Sequence, residues 1–149
     1  MSNRLFLSVG LAAVTAIVGA AATVSVAHAG GSSVSIEQYG ASNGAAGGQR
    51  GYRNRMTIYQ DGERNAINSQ QYGVRNRAVV GQTGRGNSAN TVQYGRGNIV
   101  GVGQFGSGHK VVTSQDGNGN AVGVIQAGRN NKASTKQVGA GNVTVIVQD

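Results

Sequence analysis

From residue 32 onward the chain runs in segments of five residues that alternate inward and outward character. Each segment opens after an asparagine and closes before a glutamine. The second residue of each segment is apolar from Val34 and Ala45 through Ala133, with Thr144 ending the series. The fourth residues are Ile36, Gly47, Ile58, Ser69, Val80, Thr91, Val102, Thr113, Val124, Thr135 and Ile146. A two-residue period of this kind predicts β-strands with one buried face. The second and fourth residues, together with the bounding Asn and Gln, then point to the same side.

The bounding polar residues form fixed series. Glutamine recurs every eleven residues at Gln38, Gln49, Gln60, Gln71, Gln82, Gln93, Gln104, Gln115, Gln126, Gln137 and Gln148. Two residues after the first ten stand Gly40, Gly51, Gly62, Gly73, Gly84, Gly95, Gly106, Gly117, Gly128 and Gly139. Three residues further on stand Asn43, Asn54, Asn65, Asn76, Asn87, Asn98, Asn120, Asn131 and Asn142, with His109 taking the place once. Glycine at a fixed place between strands predicts a tight reversal that uses positive φ. A Gly/Gln/Asn-rich disordered tract has no need of such register, so the phase argues for a stacked repeat.

The fourth positions double the period. They alternate between a β-branched ladder (Ile36, Ile58, Val80, Val102, Val124 and Ile146) and a ladder of small or hydroxyl residues. The structural unit is therefore 22 residues, two unlike strands and two turns. The predicted fold is all-β: a β-solenoid of two facing parallel sheets with about 5.5 rungs, large side chains opposite small ones. Buried Gln and Asn amides one rung apart, roughly 4.8 Å, can donate and accept along the axis as ladders. Each left without a partner costs about 1–3 kcal/mol. The segment Val143–Gln148 has high β-propensity and no charge, and so reads as an edge that templates further pairing.

Composition fits a thin solenoid better than a conventional core. Among 149 residues there are 26 glycines, no proline, no cysteine and only 5% aromatics. Without cysteine there is no disulfide or thiolate metal site. Residues 1–29 differ: Arg4 is their only charge, an apolar run extends from Leu5 through Val26, and Ala27-His28-Ala29 precedes Gly30. This reads as a secretory signal peptide, with the repeat domain at 30–149. The formal charge is +8, and losing Arg4 with the leader takes it to +7.

Catalytic chemistry is not expected. Beyond the leader there is one histidine, and the acids Glu37, Asp61, Glu63, Asp116 and Asp149 do not fall at the spacing of an acid–base pair or a metal cluster. No cofactor is expected. Arginines concentrate in the predicted turns, and Arg55 and Arg77, like Lys110 and Lys132, stand 22 apart, so each pair stacks on adjacent rungs. These charges slow premature stacking, or serve contact with anionic polysaccharide, DNA or acidic host surface proteins. A monomeric secreted solenoid binding anionic polymers is the alternative to self-assembly.

The repeat resembles the curlin family, subunits of bacterial curli amyloid fibres, whose pattern is Ser-x5-Gln-x-Gly-x-Gly-Asn-x-Ala-x3-Gln. Residues Gln82-Thr-Gly84-Arg-Gly86-Asn87-Ser-Ala89-Asn-Thr-Val-Gln93 match its second part. The segments from Gln38 and Gln126 match except for Ser42 and Asn130 at the second glycine. Ser32 fits the family serine, whereas later rungs carry Asn; Ile67 and Val111 replace the motif alanine. The resemblance implies a self-assembling subunit of an extracellular, cell-surface fibre (a pilus-like fimbrium of adhesion and biofilm matrix). It implies homo-polymerisation and, as partners, a second curlin subunit, a dedicated secretion pore and accessory proteins. The family has a fibre-forming major subunit and a more basic minor nucleator; the unbroken glutamine series favours the former and the charge the latter. Residues 30–48 are candidates for a flexible secretion-targeting segment.

Overall fold

The computed structural model describes residues 14–16, 21–24 and 30–149. The segment read as a signal peptide lies outside the described residues apart from two short strands, β1 (Val14–Ala16) and β2 (Ala21–Val24). Eleven further strands follow: β3 (Ser33–Ala41), β4 (Gly44–Tyr52), β5 (Arg55–Glu63), β6 (Ala66–Val74), β7 (Arg77–Arg85), β8 (Ser88–Arg96), β9 (Ile99–Ser107), β10 (Lys110–Asn118), β11 (Ala121–Arg129), β12 (Lys132–Ala140) and β13 (Val143–Gln148). Odd strands form a seven-stranded sheet and even strands a six-stranded one. All pairings are parallel, so the chain is a β-solenoid with two strands per rung.

The register follows the sequence period. Ile36 pairs with Ile58, Ile58 with Val80, and Gln71 with Gln93, each 22 residues apart. Arg55 pairs with Arg77 and Lys110 with Lys132, as the spacing predicts. The exception is β2, whose Ala21 pairs with Gly44 at an offset of 23. That one-residue change places β2 outside the repeat, where the Gln and Asn series is also absent. Strands β3 and β4 form a full rung, so residues 30–48 take part in the sheets, including the Gly-Ala-Ala-Gly-Gly run at the start of β4.

The core is the narrow space between the sheets. Met56, Ile58, Ala78, Val80, Val100, Val111 and Val124 are almost wholly buried. Large residues meet small ones across it. A Cβ added at Gly47 would lie 2.9 Å from the Met56 sulfur, so this glycine is the space that Met56 fills. The Ser69 and Thr91 hydroxyls, one rung apart, hydrogen-bond at 2.7 Å. Val34 and Ile146, in the terminal strands of the repeat, are only partly buried.

Two left-handed positions reverse the chain at each corner. The glycine two after each Gln has φ between +96° at Gly40 and +126° at Gly117 over most of the stack. A Cβ on Gly84 would also collide with the carbonyl oxygen of Gly106 one rung on. This position therefore excludes side chains on two separate grounds. Two residues later a second αL position is filled by Gly86, Gly97, Gly108, Gly119 and Gly141, but by Ser42, Arg53, Arg64, Arg75 and Asn130 elsewhere. It is the second glycine of the family pattern, and its φ near +60° is the reason for that glycine. Each non-glycine there carries an αL penalty of about 1–2 kcal/mol, least for Asn. The strained corners cluster in the first half of the repeat.

Gly84→Ala is expected to lower the denaturant midpoint of the folded chain sharply. Arg64→Gly, which removes strain at an exposed corner, is expected to raise stability by about 0.5–1 kcal/mol. Equilibrium urea unfolding of the two variants beside wild type measures both shifts.

Candidate functional site: the amide ladders

The polar residues that close each strand meet along the stack axis. In the odd-strand sheet the Nε2 of Gln38 donates to Gln60 Oε1 at 2.6 Å, and the series continues through Gln82, Gln104 and Gln126 to Gln148 at 2.7–3.0 Å. In the even-strand sheet Gln49, Gln71, Gln93, Gln115 and Gln137 form the same chain at 2.6–2.9 Å. Most of these side chains are fully buried. Hydrogen bonds in series polarise one another, and low local dielectric strengthens each of them.

Every link runs in one sense. The donor is always the glutamine nearer the N-terminus and the acceptor the one 22 residues later. The second amide hydrogen also has a fixed destination: Gln82 donates to Ala66 O at 3.1 Å, Gln93 to Arg77 O and Gln104 to Ser88 O. Those carbonyls open the strand before, in the opposite sheet. Each glutamine therefore ties two rungs along the axis and two sheets across the corner.

The asparagines work differently from the amide-to-amide ladder expected of them. Asn65 Oδ1 accepts the backbone N–H of Asn87 at 3.1 Å, and its Nδ2 donates to Asp61 O and to Gly84 O. The same three bonds recur at Asn54, Asn76 and Asn98. Asparagine thus clamps its own corner shut and fastens it to the corner above through the turn glycine's carbonyl. The short reach of Asn explains the choice: its amide lies close to the backbone, whereas the longer Gln reaches its twin.

His109 is the one substitution in this series, and it is fully buried. Its Nδ1 accepts the Asn131 N–H at 3.2 Å and its Nε2 lies 3.1 Å from Phe105 O. The imidazole is thereby the Nε2–H tautomer, with one donor where Asn has two. The donation to the next turn glycine is missing, and Gly128 has φ +86° against +118° at Gly84.

The ladders end with unmatched groups. Gln49 Oε1 is buried with no partner among the described residues. At the other end Gln137 Nε2 has no rung above and turns to Thr144 Oγ1 at 3.0 Å. Strand β13 pairs with β11, and among the described residues nothing pairs with its outer edge. The core ladder is likewise open there, with Ile146 half-exposed.

The aromatic residues at the corners pack on one another. Tyr72 and Tyr94 stack with ring centroids 4.9 Å apart and 9° between planes, and Tyr39 lies 5.8 Å from Tyr59. The exposed Arg85–Glu63 pair bridges adjacent rungs at 2.7 Å and is worth at most about 1 kcal/mol. No group of three or more His, Cys, Asp or Glu side chains gathers among the described residues.

Gln82→Ala is expected to leave the Gln60 donor and the Gln104 acceptor unpaired, at about 1–3 kcal/mol each. His109→Asn is expected to restore the missing donation and to stabilise by about 0.5–1.5 kcal/mol. Hydrogen exchange of the Asn87, His109 and Asn131 amides reads the second effect locally, and urea unfolding reads both.

Comparison with known proteins agrees with this geometry. Residues 62–91, from a turn glycine in β5 to Thr91 in β8, match the family described as the Curlin associated repeat. No curated protein matches the chain. The chain carries a curlin-associated repeat, set within a β-solenoid whose buried polar groups are engaged with one another and are not arranged around a substrate.

Proposed function

We propose that the chain is a structural subunit of an extracellular curli-type amyloid fibre, assembled by end-to-end stacking of rungs. The observation that carries this reading is the polarity of the glutamine ladders. Donors face one end of the solenoid and acceptors the other, so a second copy added head to tail supplies to each open group the partner it has inside the molecule. The unpaired edge of β13, with its exposed valines, adds backbone groups to the same contact. Removal of residues 1–29 as a leader would present the Gln38 and Gln49 end to that contact. The open edges have no use in a monomeric binder of anionic polymers.

Within that reading we place the chain as the fibre-forming subunit, because both glutamine ladders run unbroken from first to last rung. The basic charge favours the nucleating subunit instead. Stacked arginines at Arg55 and Arg77 then act to delay assembly until export is complete. Adhesion to anionic polymer, DNA or host surfaces is a consequence of the charged corners that this function accommodates.

Purified chain from residue 30 onward is expected to grow fibres after a lag, to bind an amyloid dye and to diffract with a meridional cross-β spacing. Fibres in bulk from this chain without a partner support the fibre-forming role, whereas acceleration of a partner with little fibre of its own supports nucleation. A monomer that stays soluble for days at tens of micromolar would overturn the proposal.

A further inference from the structure

The two outer faces of the solenoid are unlike each other. Each strand presents three outward residues, the first, third and fifth of its five-residue segment. On β9, β11 and β13 these positions hold only Ile, Val, Ala and Gly, in a chain with a formal charge of +8. Ile99, Ile125 and Val145 are half or more exposed on this face. A glycine floor, Gly101 beside Gly123, runs along its middle. The Phe105 ring lies across Gly103, with one ring carbon 3.2 Å from where a Cβ would be, and makes that border apolar too. A contiguous uncharged sheet face of this kind marks an interaction surface.

We infer that the odd-strand sheet is a lateral interface between two stacks of this chain, related by a two-fold axis parallel to the solenoid axis. The inference rests on the stacking proposed above. Such an axis sets the first outward position of a strand against the fifth of its twin, and the third against itself. Ile125 then faces Ala121 of the second copy, and Val79 meets its own twin. The charged part of the same sheet also fits. Arg77 faces Gly81, Arg55 faces Tyr59 (a cation–π pairing) and Glu37 faces Ser33, so no like charges meet. The same operation on the even-strand sheet sets Lys132 against Lys136 on both sides of the axis. One face of the solenoid is self-complementary and the other repels its copy.

Area decides when this contact forms. Six strands about 4.8 Å apart, each with five residues of about 3.4 Å, cover roughly 500 Å² per partner. A stable pair needs about 800 Å² per partner. Single subunits therefore do not dimerise through this face, and two or more stacked copies on each side do. Lateral pairing follows elongation and is not its cause.

The chain contains no cysteine, so Val79→Cys is a unique label on the face, and Val112→Cys is its counterpart on the even-strand sheet. A bis-maleimide too short to span one subunit height, about 25–30 Å along a stack, is expected to cross-link Val79→Cys fibres to covalent dimer. Val112→Cys fibres and soluble Val79→Cys subunits are expected to remain monomeric under the same treatment. Electron microscopy is expected to show wild-type filaments two solenoids wide. The double variant Val79→Lys/Ile125→Lys is expected to form filaments of single width that keep the cross-β spacing. Wild-type filaments of single width, or Val79→Cys fibres that yield no covalent dimer, would overturn the interface and leave stacking intact. Should the lysine variant fail to assemble, the cross-linking of otherwise native fibres still decides. Absence of any wild-type filament refutes stacking itself, and the lateral interface with it.

Discussion

A buried primary amide must have a partner for both its donor and its acceptor, and in this fold the partner is the same residue one rung away. That constraint governs the rest of the molecule. A glutamine held every 22 residues on one sheet fixes the strand register. A slip of one residue would turn the amide outward and leave its two former neighbours unpaired inside. The second amide hydrogen, donated to the opening carbonyl of the strand before, holds the two sheets at one separation. The space left between them accommodates one large side chain against one small one, which is why Ile58 and Val80 stack on one sheet and Ser69 and Thr91 on the other.

The corners follow from the same stacking. Rungs a strand spacing apart bring each turn glycine directly beneath the carbonyl of the next, so no side chain fits there. Asparagine then takes that carbonyl as an acceptor and converts close approach into a hydrogen bond. The second αL position has open space around Gly86, Gly97 and Gly119 and tolerates Arg, at the cost of backbone strain. Strain is concentrated at Arg53, Arg64 and Arg75, in the same rungs that carry the stacked Arg55 and Arg77. The C-terminal rungs have glycine at most of these corners. The stack is therefore graded, with the better-relaxed corners towards the open edge of β13.

Much of this was legible in the sequence because a solenoid repeats its physics. The step of eleven, the turn glycines and the Ile/Val-against-small alternation each recur often enough to fix strands, rung and facing sheets. Three things were not legible. The sense of the glutamine hydrogen bonds depends on how each amide is turned, which composition does not encode. The backbone-directed bonding of Asn65 and its equivalents depends on the distance from a short side chain to the neighbouring corner, a distance set by the completed stack. The pairing of β2 at an offset of 23 lies where the repeat signal is absent. The outward positions read as merely mixed when taken along the chain. Their order becomes plain only when every second strand is laid beside its neighbour in one sheet.

The polarity of the ladders links the fold to assembly, because a structure whose donors all point one way grows by adding like ends to unlike ends. The most direct measurement is solid-state NMR on fibres grown from an equal mixture of two labelled populations, one with 15N in its glutamine side chains and one with 13C. The account predicts an intermolecular contact between the Gln148 side-chain nitrogen of one copy and the side-chain carbonyl carbon of Gln38 or Gln49 of another. Fibres in which Gln148 contacts only Gln148 of the other population, or in which no glutamine contact crosses between populations, would contradict it.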